Sequence, residues 1–193
     1  LPNGSYDSQI TWPTQVTPAN NIAKLSLLSN GNFLIGQSGA NGFLVSFDQT
    51  GALVYAVDGS VGATQFTSSP VAFAEAGNEV YVMNSASTRV YDKATGLLTR
   101  KYDPTLSNAL GIARDTLGNT YISDMAGVKR FDTTGFVDLS FAAGTMMYDI
   151  DIDSQGIIYG VDLMQNKILK FNPDGTAAGD ITLTGTAYFL DIV

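Results

Sequence analysis

The residues best placed to do chemistry in this sequence are carboxylates. From Tyr148 to Asp153 the chain alternates, with Ile150 and Ile152 on one face of an extended strand and Asp149, Asp151 and Asp153 on the other. Hard oxygen ligands of this kind suit calcium. Asp191, in the similar segment Tyr188 to Val193, would join Asp149 and Asp151 in a cation site. The competing reading is a solvated polar edge, with Asp153 in a turn like Asp115. Successive carboxylates on one face of a strand stand about 7 Å apart, too far to chelate one ion without other ligands. A second set, Asp124 and Asp162 with Asn84 in the matching place, ends short apolar strands. These residues read either as ligands on one face or as repeated turn formers, and their repetition favours the turn.

Much chemistry is excluded outright. Among 193 residues there is no histidine and no cysteine. That removes Ser-His-Asp triads, imidazole bases, histidine and thiolate metal sites, cysteine nucleophiles and disulfides. A net charge of -8, from 18 acidic and 10 basic residues, opposes nucleic acid, and no Lys/Arg cluster offsets it. No glycine-rich loop joins a strand to a helix, so nucleotide binding has no support. No apolar run approaches the ~18 residues of a membrane span. Hydrophobic residues make up 45% and charged residues 15%, so the chain is globular with a surface of Ser, Thr, Asn, Gln and Gly. Together with the lack of cysteine, this favours a secreted protein or one on a cell or virion surface. The start at Leu1 fits a cleaved signal peptide or a piece of a longer chain.

The elements that carry these residues repeat. An apolar strand, a glycine turn, a second strand, a polar turn and a third strand ending in aromatic-Asp recur four times. The aromatics are Phe47, Tyr91, Phe131 and Phe171, spaced 44, 40 and 40 residues apart. First-turn glycines fall at Gly31, Gly77, Gly118 and Gly156, and closing glycines at Gly51, Gly96, Gly135 and Gly175. A period near 40 residues, with β-branched and aromatic runs of strand length, predicts an all-β array of antiparallel β-propeller blades. Asp48, Asp92 and Asp132, like Asn172, are placed to bond the backbone of the turn that follows. No segment reads as a helix; the apolar run from Ala23 to Ser29 aligns with a first strand.

Gly111 to Gly135, GIARDTLGNTYISDMAGVKRFDTTG, most closely resembles an NHL repeat, and Asp149 to Gly175 resembles it next. The first two copies are looser. The resemblance covers residues 25–193. It implies one propeller-like domain over 1–193, with an N-terminal segment 1–24, blades near 25–65, 66–107, 108–144 and 145–185, and a partial blade at 186–193. It also implies that such propellers mostly bind other molecules. Related propellers include calcium-dependent lactonases and gluconolactonases, and lyases resembling streptogramin inactivators. The lyases depend on histidine, which this sequence lacks. A calcium site on Asp149 or Asp162 is then the remaining enzymatic route. A lectin-like glycan binder would need aromatic and amide residues repeated on one rim, and no such set can be placed.

The ends carry the remaining expectation. Tyr188 to Val193 reads as the inner strand of a fifth blade, while Ser5 to Trp12 is a strand without a blade. Ser5 to Trp12 can supply a strand to the last blade, which would still be short of strands, so the chain is a fragment or another chain completes it. Unpaired apolar edges are covered in native proteins. Ile10, Trp12, Phe189, Leu190 and Ile192 are thus expected at an interface with a protein partner or a second copy. Trp12 is expected to pack at that seam, and Met146 and Met147 to fill core. The sequence-level reading is a non-catalytic interaction or structural module, self-assembling through its open blade edge and without a cofactor.

Overall fold

The computed structural model describes residues 22–37, 43–58, 72–84, 87–102, 106, 108–134, 137–188 and 190–192. Within them the chain folds into strands alone. The first sheet takes β1 (Ile22–Leu27), β2 (Phe33–Gln37), β3 (Phe43–Phe47) and β4 (Leu53–Asp58). The second takes β5 (Ala72–Ala76), β6 (Glu79–Met83), β7 (Thr88–Asp92) and β8 (Leu98–Tyr102). The third takes β9 (Gly111–Arg114), β10 (Thr120–Asp124), β11 (Gly127–Phe131) and β12 (Val137–Ala143). The fourth takes β13 (Ile150–Ile152), β14 (Ile158–Asp162), β15 (Lys167–Phe171) and β16 (Ala177–Thr182). Every sheet is an antiparallel meander of four consecutive strands, and among the described residues no ladder joins one sheet to another. The first sheet begins at Ile22, three residues before the expected start of its repeat.

The turns explain the markers seen in the sequence. Gly118 and Gly156 sit at φ of 91° and 84°, a region that costs other residues a Cβ clash. The aspartate three residues earlier accepts from the turn it opens. Asp115 Oδ1 takes the amides of Leu117 (3.0 Å) and Asn119 (2.8 Å), and Asp153 Oδ1 takes those of Gln155 and Ile157 (both 2.9 Å). Their second oxygens take the hydroxyls of Tyr121 and Tyr159, each at 3.1 Å. The later turns use the residue after the aromatic in the same way. Asp48 accepts from Thr50 and Ala52, Asp92 from Ala94 and Thr95, and Asp132 from Thr134. Asn172 instead donates to the Thr176 hydroxyl at 2.9 Å.

The sheets stack face to face through apolar layers. Leu34, Leu44, Tyr55 and Val57 of the first meet Val80, Val82 and Tyr91 of the second. Tyr81, Met83 and Val90 meet Ile112, Ile122 and Phe131. Tyr121, Val128 and Phe141 meet Met147, Ile150 and Ile158. Burying each large side chain in these layers contributes about 1.5–3 kcal/mol. Met147 is wholly buried against Gly160, as a core methionine should be, while Met146 stays half-buried.

Stacking is closest at the inner strands β1, β5, β9 and β13, which neighbour one another in that order. On the face toward the next sheet, β5 presents Ala72 and Ala74, and β9 presents Gly111 and Ala113. A Cβ on Gly111 would lie 2.9 Å from both the Cα of Asp149 and the amide nitrogen of Ile150. Backbone thus packs on backbone, with no room for a methyl group. Gly111→Ala is expected to cost about 1–3 kcal/mol. Urea unfolding should show a lower midpoint at unchanged slope; an unchanged midpoint contradicts the close approach.

Candidate functional site

The inner strand β13 departs from its neighbours where chemistry was expected. By register, Asp149 and Asp151 replace the small residues Gly111 and Ala113 of β9. Their carboxylates reach forward to the returning chain. Asp149 Oδ2 accepts the amide of Leu190 at 3.0 Å, and Asp151 Oδ2 accepts that of Ile192 at 2.7 Å. Each Oδ1 takes the amide of the residue that follows it in β13, Ile150 at 3.1 Å and Ile152 at 2.8 Å. Tyr188 packs edge-on against Tyr148, with ring centroids 6.4 Å apart. Tyr188 and residues 190–192 therefore run beside β13 on the face turned away from the third sheet.

Asp191 is exposed, and among the described residues no three acidic groups are gathered as a metal site. Leu190 and Ile192 are half-buried in that segment. Ile10, Trp12 and Phe189 lie outside the described residues.

Asp124, Asp162 and Gln37 end their second strands, Asn84 follows the last residue of β6 in the matching place, and all four are buried. The acceptors of Asp124, Asp162 and Asn84 serve the turn. Asp124 takes the Ala126 amide at 2.8 Å and pairs with the buried Lys129 ammonium. Asp162 takes the amides of Met164 (2.9 Å) and Gln165 (3.0 Å), and Asn84 that of Ser87 (2.8 Å). The arrangement holds hairpins, and no two of these side chains come from one sheet.

Polar contacts between sheets were missed by the sequence reading. Glu75 accepts from the Ser29 amide at 2.8 Å and pairs with Lys93, which also donates to the Ser29 hydroxyl (2.9 Å) and the Gly77 carbonyl (2.7 Å). Arg114 lies over the Tyr81 ring, 4.2 Å from its centroid. Leu27, Glu75, Arg114 and Ile152 share one register position. The last three each reach the preceding sheet. Leu27 is 64% exposed and Leu25 57%. Aligning the repeats by these four positions is the signal that finds the contacts.

Among solved structures the chain is similar to a streptogramin B lyase, with TM-score 0.68, 17% identity, and coverage of 87% of this chain and 56% of that one. It is similar to virginiamycin B lyase from Staphylococcus aureus, with TM-score 0.66, 16% identity and coverage of 88% and 58%. It is also similar to the Pan2 WD40 domain of Neurospora crassa, with TM-score 0.71, 12% identity and coverage of 87% and 52%. Four-stranded meanders stacked around their inner strands decide the architecture. The fold is a β-propeller. The chain spans a little over half the length of these propellers. No protein-family model matches it, and no curated protein matches it in sequence.

Within the fourth blade, burial pushes the Asp149 carboxyl above the ordinary value of 3.8. The Leu190 amide, the Lys24 ammonium and the Ile150 amide pull it back, and the Asp151 charge adds to the rise. Turn carboxylates go the other way. The Thr50 hydroxyl lowers Asp48, the Thr95 hydroxyl lowers Asp92 and the Thr176 hydroxyl lowers Asp174. At Asp153 burial is outweighed by the amides of Ile157 and Gln155 and the Tyr159 hydroxyl.

A raised acid holds its proton more tightly when folded. Its ionisation therefore costs stability as pH rises from the unfolded value through the folded one. Asp149→Asn keeps an acceptor for Leu190 and removes that cost. The variant is expected to melt no lower than the parent near neutral pH, with its relative advantage shrinking toward pH 3.8. An advantage that grows on acidification contradicts the burial of a charged Asp149.

Proposed function

We propose that the chain is a non-catalytic interaction module of NHL-like blades, secreted or displayed on a cell or virion surface, that self-assembles through the exposed inner strand of its first blade. The carrying observation is the shared register position. Glu75, Arg114 and Ile152 each contact the blade before their own, while Leu27, with Leu25 beside it on the same strand face, stays largely exposed. Phe33 and Ile35 continue that face on β2, and beyond them Val45 and Phe47 of β3 are already buried, so the exposed part is the inner strand. A surface patterned to pack on a preceding blade is complementary to another blade's far face. In a second copy that far face is the outer face of the fourth blade, with Ile181 and Tyr188 exposed. Such a contact is heterologous and builds head-to-tail.

The carboxylates at the ends of the second strands and on β13 are engaged by amides or a lysine, which leaves little for acid–base work. Two similar structures are lyases, but at 16–17% identity their chemistry does not carry over to a chain without histidine. The -8 charge opposes association of like copies, so assembly should strengthen with salt.

Light scattering at about 100 μM protein in about 0.15 M salt should give a mass above the 20.4 kDa of one chain. Leu25→Asp with Leu27→Asp should return it to the monomer at an unchanged melting temperature. A parent that stays monomeric at that concentration and at higher salt overturns the proposal.

A further inference from the structure

We propose that the cleft between the first turns of the second and third blades binds a carboxylate group on the Arg114 guanidinium. The cleft measures about 430 Å³ and is lined by Glu75, Ala76, Gly77, Arg114, Asp115, Thr116 and Gly118. Between the first and second blades the matching place is held by Glu75 and Lys93 on Ser29; among the described residues no such polar clip occupies this cleft. A Cβ built on Gly77 meets nothing within 4 Å, so this wall is open.

Arg114 is held for binding yet not used up. Its guanidinium rests on the Tyr81 ring, and Nη2 donates to the Gly118 carbonyl at 2.5 Å. Tyr81 is fixed in turn, because its hydroxyl donates to Glu79 at 3.1 Å and receives Arg100 at 2.9 Å. Arg100 and Arg130 each pair with a carboxylate, on Glu79 and Asp138. Among the described residues Arg114 pairs with none, and its buried Nε has no acceptor. Neither acidic neighbour is free to neutralise it. Asp115 accepts from the amides of Leu117 and Asn119, the Asn119 side chain and the Tyr121 hydroxyl. Glu75 is taken by Ser29 and Lys93.

The remaining edge of a stacked, oriented guanidinium is a fork for a planar two-oxygen acceptor. The class of ligand follows from charge. Within the lining Arg114 faces Glu75 and Asp115, and Lys93, outside the lining, pairs with Glu75, so no excess of positive charge surrounds the fork. A multiply charged phosphate meets no excess of cations there, whereas a single carboxylate needs only the fork. That group can belong to a small free acid or to a peptide C-terminus. The site is on the opposite end of the blades from the Asp124 and Asp162 turns and does not depend on self-assembly.

The test is amide NMR of the intact chain titrated with sodium acetate, against sodium chloride at equal ionic strength. Acetate should shift the Gly77, Thr116 and Gly118 amides saturably, while chloride leaves them in place. Arg114→Gln should weaken the apparent affinity by about tenfold or more. Gly77→Asn gives a second route, since asparagine tolerates the φ of 56° at this position and fills the open wall without touching Arg114. It should block acetate with the fold retained. An acetylated tetrapeptide with a free C-terminus, compared with its amidated twin, identifies the source. Tighter binding of the free terminus than of acetate assigns a peptide, and equal or weaker binding assigns a small acid. Absent shifts, equal shifts with chloride, or equal affinity in Arg114→Gln and the parent overturn the proposal.

Discussion

The spacing between neighbouring inner strands governs this molecule. Blades of four strands fan out from a narrow axis, so their widest apolar layers can meet only if their inner edges come close. At β5 and β9 the chain meets this demand with Ala72, Ala74, Gly111 and Ala113. At Gly111 the approach is backbone to backbone. Further out the layers widen, and tyrosine and phenylalanine fill them. Tyr81, Tyr91, Tyr121 and Phe131 are fully buried there. The small residues are thus the condition under which the large ones bury their area.

At β13 the same position changes character. Carboxylates replace the small side chains and meet the next segment through hydrogen bonds to its amides. A charged spacer gives up apolar contact but satisfies N–H groups that an unladdered inner strand would leave bare. Asp149 is partly buried to do so, with Lys24 of the first inner strand offsetting the cost. The carboxylates that suggested a cation site in the sequence are, in the fold, acceptors for the backbone. The acids that close the hairpins work on the same principle, and their lowered titration is its electrostatic trace.

How much of this could be read beforehand differs by element. The blades were legible because each turn demands particular residues at a fixed interval: Gly118 for its backbone angle, Asp115 and Asp153 for their acceptors, Phe131 for the layer. Asp124 and Asp162 were also legible as turn formers, since the demand recurs in each blade. The role of Asp149 and Asp151 was not legible, because alternation shows which face a residue takes but not what lies across from it. The clip of Glu75, Lys93 and Ser29 was hidden for a similar reason. Its members are 18 to 64 residues apart, and only the stacking of two blades brings them together. Arg114 rests on a ring 33 residues earlier in the chain, and only the stacking of the second and third blades brings the two together.

Inner-strand carboxylates of the fourth blade serve as backbone acceptors that hold the following segment in place. Hydrogen exchange at the Leu190 and Ile192 amides measures this directly. Slow exchange at both is expected in the parent protein, preserved when Asp149 and Asp151 become asparagine and lost when both become alanine. Fast exchange at Leu190 and Ile192 in the parent, or protection that survives the double alanine change, would contradict it.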